Sequence, residues 1–288
     1  MPLDTVNIGR STDYFEHIVD ARWLMAYAAG LNDLNPAYMD TTAGAVHAHP
    51  IFPVCLEWPA ILATRALLGE NLSDAESARG VHAAHDLHLL RPIKAGTRLR
   101  TRATLIAIEQ IKPGAGYTLR LDTIDDVEQL VCQTYQFGIY RGVPVIGATP
   151  PITEQPALPA TQPLDGTSTR IAVAAGSAHR YTECARIWNP IHTDRQFAQN
   201  AGLPDIILHG TATMALAVTE LTNRLVAGDS QRVVRTGGRF AAMVLMPSIL
   251  ELNTSAVYQQ DDGTHLVSFA VTNADGALAI NHGFFVFR

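Results

Sequence analysis

The chain carries one motif twice, and the two copies differ in the residues that can move protons. The first copy reads Tyr27-Ala28-Ala29-Gly30-Leu31-Asn32-Asp33-Leu34-Asn35-Pro36-Ala37-Tyr38-Met39-Asp40. The second reads Tyr181-Thr182-Glu183-Cys184-Ala185-Arg186-Ile187-Trp188-Asn189-Pro190-Ile191-His192-Thr193-Asp194. Identical residues stand at Tyr27/Tyr181, Asn35/Asn189, Pro36/Pro190 and Asp40/Asp194, and Pro50/Pro204 extends the register without a gap. Aligned in this way, Asp33 stands opposite Ile187, and Tyr38 stands opposite His192. Imidazoles and carboxylates are the usual general acids and bases. A tandem duplication is therefore expected in which one copy does chemistry and the other supports it.

The elements around each motif repeat as well. A proline-containing loop follows it, then a long apolar helix expected over about Phe52 to Leu68 in the first copy and Ile206 to Val226 in the second. The second helix is apolar on nearly every side, as a helix enclosed by other structure must be. Strands are expected at His85–Leu90, Leu99–Ile108, Gly116–Thr123 and Leu130–Tyr140, then at Gly238–Val244, Ile249–Tyr258, His265–Thr272 and Leu278–Phe287. Hairpin turns are read at Lys112-Pro113-Gly114-Ala115-Gly116 and Asp261-Asp262-Gly263. One long helix followed by four long antiparallel strands describes a helix wrapped by a curved sheet. Two such units edge to edge give an α+β double hot dog. The repeats are assigned to residues 1–143 and 167–288, joined by a proline-rich linker over 144–166.

Composition narrows the function classes. A chain of 288 residues suits two domains of ordinary size. The net charge of −6 argues against nucleic acid or an anionic membrane surface as the main partner. No stretch approaches the ~20 apolar residues of a membrane span, and Met1-Pro2-Leu3-Asp4-Thr5 lacks the features of a secretory signal. The three scattered cysteines, Cys55, Cys132 and Cys184, fit a reducing compartment, so a cytoplasmic location is expected. No metal is expected: His85 and His88 would face opposite sides of a strand, which breaks up the cluster they form with His82.

The run Trp188-Asn189-Pro190-Ile191-His192-Thr193-Asp194, followed by Ala201-Gly202-Leu203-Pro204-Asp205-Ile206-Ile207-Leu208-His209-Gly210, resembles the signature of MaoC-like (R)-specific enoyl-CoA hydratases. The pattern there is Gly-Asp-x-Asn-Pro-x-His, then Pro-Ile-Leu-His-Gly at the start of the hot-dog helix. The resemblance extends over the whole chain, because the first copy is similar to the N-terminal domain of two-domain members. It implies hydration or dehydration of a 2-enoyl or 3-hydroxyacyl thioester, of CoA or of an acyl carrier protein, with no cofactor. Under it His192 is the base, the Gly210 N–H holds the developing enolate, and Asn189 orients the loop. A homodimer is compatible with the family.

This chain departs from the pattern where the carboxylate belongs. The Gly-Asp pair is Arg186-Ile187 here, and the first copy has Cys55-Leu56 in place of His209-Gly210. Two carboxylates are candidates to replace the missing one. Glu57, near the start of the first helix, is similar to the helix glutamate of acyl-carrier-protein dehydratases; Glu183 lies four residues before the lost Asp. Substrate contacts are expected from His209, Asp33, Tyr38, Tyr181, Arg186 and Trp58, and an apolar acyl pocket in the first repeat from Met25, Leu56, Trp58 and Ile61. Plainer roles compete: Asp33, Asp40 and Asp194 as turn or helix caps, Tyr27 and Tyr181 as packing residues. Internal twofold symmetry predicts that Asp33 and His192 lie at separate ends of the domain interface. The open alternatives are a thioester-binding or supporting subunit without turnover, an isomerase, and a thioesterase.

Overall fold

The computed structural model describes residues 2–68, 72–150 and 154–288. In the first repeat the elements are β1 (Leu3–Asp4), β2 (Phe15–Val19), α1 (Ala21–Gly30), α2 (Pro36–Met39), α3 (Pro53–Leu68), α4 (Asp74–Ser77), β3 (Gly80–Leu89), β4 (Thr97–Ile111), β5 (Gly114–Asp125), β6 (Leu130–Arg141) and β7 (Val145–Ile146). The second repeat continues with β8 (Ser168–Val173), α5 (Ser177–Ala185), α6 (Arg195–Asn200), α7 (Gly210–Val226), β9 (Val233–Phe240), β10 (Ser248–Thr254), β11 (Tyr258–Gln259), β12 (His265–Thr272) and β13 (Leu278–Phe287). One large sheet runs β2-β4-β5-β6-β3-β9-β13-β12-β10-β8, with β11 attached to β12. It curves around α3 and α7, and the largest apolar cluster takes residues from both helices and both repeats. This is the α+β double hot dog. None of the described helices is long and apolar enough to cross a membrane.

The repeats join at β3 and β9, where Ala84–His88 pair antiparallel with Arg235–Arg239. Gly237 makes that approach feasible: a Cβ there would come within 2.2 Å of the His85 carbonyl oxygen and 2.6 Å of the Phe284 ring. The joint is also clamped on its outer face. Arg235 donates two hydrogen bonds of 2.8 Å to the Asp86 carboxylate, whose side chain is only 4% exposed, and another to the Ala157 carbonyl. On the helix side the repeated tyrosines meet, with Tyr27 and Tyr181 hydroxyls 3.3 Å apart.

The expected helices and the strands at His265–Thr272 and Leu278–Phe287 are present. Several boundaries differ: β10 ends at Thr254 rather than Tyr258, and β4 and β5 extend two or three residues beyond the expected limits at each end. Strand β3 starts at Gly80 rather than His85, β9 spans Val233–Phe240 rather than Gly238–Val244, and α7 begins at Gly210 rather than Ile206. Gly237 and Gly238 sit mid-strand: a Cβ at 237 would clash with the His85 carbonyl and the Phe284 ring, and one at 238 would crowd Ile280 and Gly283. In the proline-rich segment Val145–Ile146 pair with Leu3–Asp4, and the Gln162 N–H donates to the Ser268 hydroxyl. Pro151, also expected in that segment, lies outside the described residues.

The clamp at the joint yields a stability prediction. Burial opposes ionisation of Asp86, but the hydrogen bonds from Arg235, with the His88 ring 3.3 Å away, outweigh it and hold its pKa below the usual carboxylate value. A carboxylate depressed in the folded state adds stability that is present above its unfolded pKa of about 4 and is lost as pH falls through the folded value. Asp86→Ala leaves Arg235 without its partner, and urea unfolding at pH 7 is expected to show a loss of about 3 kcal/mol. The wild-type advantage should shrink below about pH 4. An unchanged midpoint would remove the clamp from the account.

Candidate functional site

The second motif loop is built by two backbone devices. Helix α5 ends at Arg186, which takes the left-handed conformation (φ 60) that glycine adopts most easily. Asn189 then accepts the Ile191 N–H on its side chain, which starts the short turn Pro190–His192. Asp194 caps α6 through the Phe197 N–H and so closes the loop. His192 is thereby held against the Ile207 carbonyl, with Nδ1 at 2.8 Å. A carbonyl only accepts, so Nδ1 carries the proton and Nε2 presents its lone pair.

His192 lies flat on His209, ring centroids 3.6 Å apart and planes 24° from parallel. His209 is the residue at the N-terminal boundary of α7, and its side chain makes no capping hydrogen bond. The first amides of α7, beginning with Gly210, are therefore free of a side-chain cap at the positive end of the helix dipole. Gly210 is required here, because a Cβ would sit 2.9 Å from the Phe240 ring. Behind the pair, Tyr181 packs on His209 at 4.9 Å, and the Thr182 hydroxyl lies 3.2 Å from His209 Nε2. Burial lowers the His192 pKa to about 4, partly offset by the Ile207 bond. Burial, then the neighbouring His192, pushes His209 well below its ordinary value. Both rings are neutral at physiological pH.

The two candidate carboxylates occupy different environments. Glu57 on α3 is 1% exposed and accepts from the Thr134 hydroxyl, while its Oε2 is enclosed without a partner. Burial pushes its pKa up to about 7 against that bond. It lies within electrostatic reach of Tyr181, the ring that backs His209. Glu183 is exposed on α5. Arg186 lays its guanidinium over the Trp23 ring at 4.0 Å. Trp58 packs against the core with its indole nitrogen enclosed and unpaired.

The first motif loop is fastened to the other repeat. Asn35 caps α2 through the Ala37 N–H and donates its own amide to the Gly228 carbonyl beyond α7. Asp33 is 4% exposed and accepts the Asn35 N–H on Oδ1. Burial raises its pKa, tempered by that bond and by Thr219. Thr219 is ten residues along α7 from His209, about 15 Å at the helical rise. Asp33 and His192 thus stand apart along α7. Tyr38, at the position of His192, is fully buried.

A histidine that sequence reasoning missed completes this end. His49 accepts the Ile51 N–H on Nδ1 and contacts the Thr219 hydroxyl through Nε2 at 3.0 Å. It packs on Tyr27 and Tyr38 at 5.7 and 5.8 Å, much as His209 packs on Tyr181 and His192. The signal was its place just before α3. Of the residues expected to line an apolar acyl pocket, Leu56 is 0% exposed inside the core, and none of Met25, Leu56, Trp58 and Ile61 lines the two described cavities. The larger cavity, about 520 Å³, opens at the first motif loop and is bounded by Asp33, Arg170, Leu216, Glu220 and Asn223 among others.

Comparison with known proteins gives the same picture from outside. Residues 159–276 match the MaoC like domain family, and residues 6–127 match the FAS1-like, dehydratase domain region. A fatty acid synthase beta subunit of Monascus ruber is 30% identical over 140 residues, 46% of this chain and 7% of that protein. An enoyl-CoA hydratase of Mycobacterium tuberculosis is 32% identical over 94 residues, 32% of this chain and 31% of that protein. The chain thus spans a minor part of the curated relatives it matches. A solved MaoC-like dehydratase from Phytophthora capsici superposes with a TM-score of 0.82 at 19% identity, over 97% of this chain and 95% of that one. At that identity the likeness concerns the fold.

The stacked pair can be checked by titration. Histidine NMR of the folded protein should show His192 neutral, with the proton on Nδ1, from pH 8 down to about 4. A His192 resonance titrating near the ordinary value of about 6.5 would mean that the ring is solvated and the stack open.

Proposed function

From the premise that this chain is a MaoC-like double hot-dog protein, we propose that it hydrates 2-enoyl thioesters or dehydrates 3-hydroxyacyl thioesters, with chemistry at the second repeat alone. The observation that supports this reading is the placement of a neutral imidazole, its Nε2 lone pair available, beside the uncapped start of α7. A thioester carbonyl at Gly210 N–H would be polarised by an amide and by the helix dipole together. His192 Nε2 then takes a proton from water while the water oxygen bonds to C3 and the negative charge moves onto the thioester oxygen. A carboxylic acid delivers the proton to C2, and the imidazolium proton returns to the carboxylate. Asn189 keeps the loop in place.

Glu57 is the acid in this reading. It stays neutral up to about pH 7, its Oε2 is unpaired, and it lies within electrostatic reach of Tyr181, the ring that packs on His209. Glu183 is exposed on α5, outside the enclosed core that holds Glu57. Both catalytic protonation states coexist where His192 is neutral and Glu57 protonated, so the hydration rate is expected to fall below about pH 4 and above about pH 7.

The test follows loss of the conjugated-thioester absorbance of crotonyl-CoA and longer 2-enoyl-CoAs. His192→Ala and Glu57→Gln are each expected to lower kcat by ~100- to 10,000-fold while the protein stays folded. Full turnover by Glu57→Gln would reject Glu57 as the acid. Release of free CoA in place of hydration would assign a thioesterase.

A further inference from the structure

The larger of the two cavities described above opens not at the catalytic pair but at the degenerate motif loop. It is built across the repeat boundary: one wall is the first motif loop, the others are β8 and α7 of the second repeat. Asn35 pins the wall together through its bond to the Gly228 carbonyl. At its base is Asp33, only 4% exposed, with Oδ2 lacking a hydrogen-bond partner. Thr219 stands near that carboxyl without satisfying this oxygen.

We propose that this loop is a second thioester-binding site, which holds a pantetheine arm without converting it. The inference rests on the thioester reading above and on the internal repeat, since both loops present the same Asn-Pro turn to a long helix. The walls match the arm's chemistry. Pantetheine is neutral, with two amides, a hydroxyl and a dimethyl-substituted carbon. Its amide N–H groups meet acceptors in Asp33 Oδ2 and Glu220. Its carbonyls meet donors in Asn223 and Arg170, and its methyl groups meet Leu216. The cavity, about 520 Å³, lies in the range that accommodates a small ligand. Conversion is excluded because Tyr38 replaces the histidine and is buried, and because Leu56 stands where Gly210 stands in the other copy.

The experiment titrates the intact chain by calorimetry with butyryl-CoA, which has no double bond to hydrate, and follows crotonyl-CoA turnover in parallel. Two equivalents per chain are expected. Asn223→Trp, an exposed position at the cavity wall, should remove one equivalent and leave crotonyl-CoA turnover intact. Glu220→Gln, a milder change, should weaken that equivalent about tenfold, as the loss of one hydrogen bond to a charged group would. Pantetheine alone should compete for it; failure to compete would reject recognition through the arm. Competition by CoA or by a phosphopantetheine-bearing carrier protein identifies the source of the arm. A single equivalent untouched by Asn223→Trp and Glu220→Gln, with normal turnover, overturns the second site and leaves the hydratase reading standing. Two equivalents with no turnover at any chain length keep the second site and overturn the hydratase reading.

Discussion

Everything at the site depends on how closely two backbones approach at the joint between the repeats. Gly237 lets β9 run beside β3 with no side chain between its Cα and the His85 carbonyl. That pairing makes one continuous sheet, and the sheet sets α3 and α7 in one shared core. The start of α7 then lies against Phe240 at the end of β9, while Glu57 of α3 reaches Thr134 on β6. A larger residue at 237 would push the strands apart, and the helices with them. The Asp86–Arg235 pair on the outer face and the Tyr27–Tyr181 contact on the inner face hold the same joint from opposite sides.

Duplication explains why the two motif loops look alike and act differently. Each loop needs its asparagine for the turn, and that requirement is met in both copies by Asn35 and Asn189. Chemistry places no such demand on both. In the second copy a histidine meets a helix start without a cap, whereas in the first Tyr38 is buried and His49 engages Ile51 and Thr219 with its two ring nitrogens. A ring with both nitrogens engaged orients structure; a ring with one free lone pair can accept a proton. The asymmetry between the copies is thus a difference in hydrogen bonding at two similar rings.

The fold was legible in the sequence because its causes are local and periodic. The patterns placed β12 and β13 at their observed bounds, and the apolar run marked α7 apart from its start. The start of β9 was less legible, since a glycine needed for close approach, as at 237, looks the same in sequence as one needed for a turn. His192 was legible from its motif, but its neutrality was not, because its burial comes from tertiary contacts. His49 lacked a motif to announce it. The cavity was invisible for a related reason: Asp33, Arg170 and Asn223 are far apart in the chain and adjoin only after the repeats dock.

The missing motif aspartate changes what the rest of the site must supply. An aspartate beside the histidine would favour the imidazolium, as an opposite charge within a few ångströms does. Ile187 gives no such support, and burial drives the His192 pKa the other way. The site therefore disfavours storing a proton on His192 and favours storing it on a carboxyl in an apolar setting. Glu57 has that setting, since burial that lowers a histidine raises a glutamate. With His192 near 4 and Glu57 near 7, the resting proton sits on the carboxyl throughout the interval between them, which is the reverse of the ordinary order for these two residue types. An aspartate introduced at 187 would work toward the ordinary order, and in the mechanism proposed above it would compete with Glu57 for the role of acid.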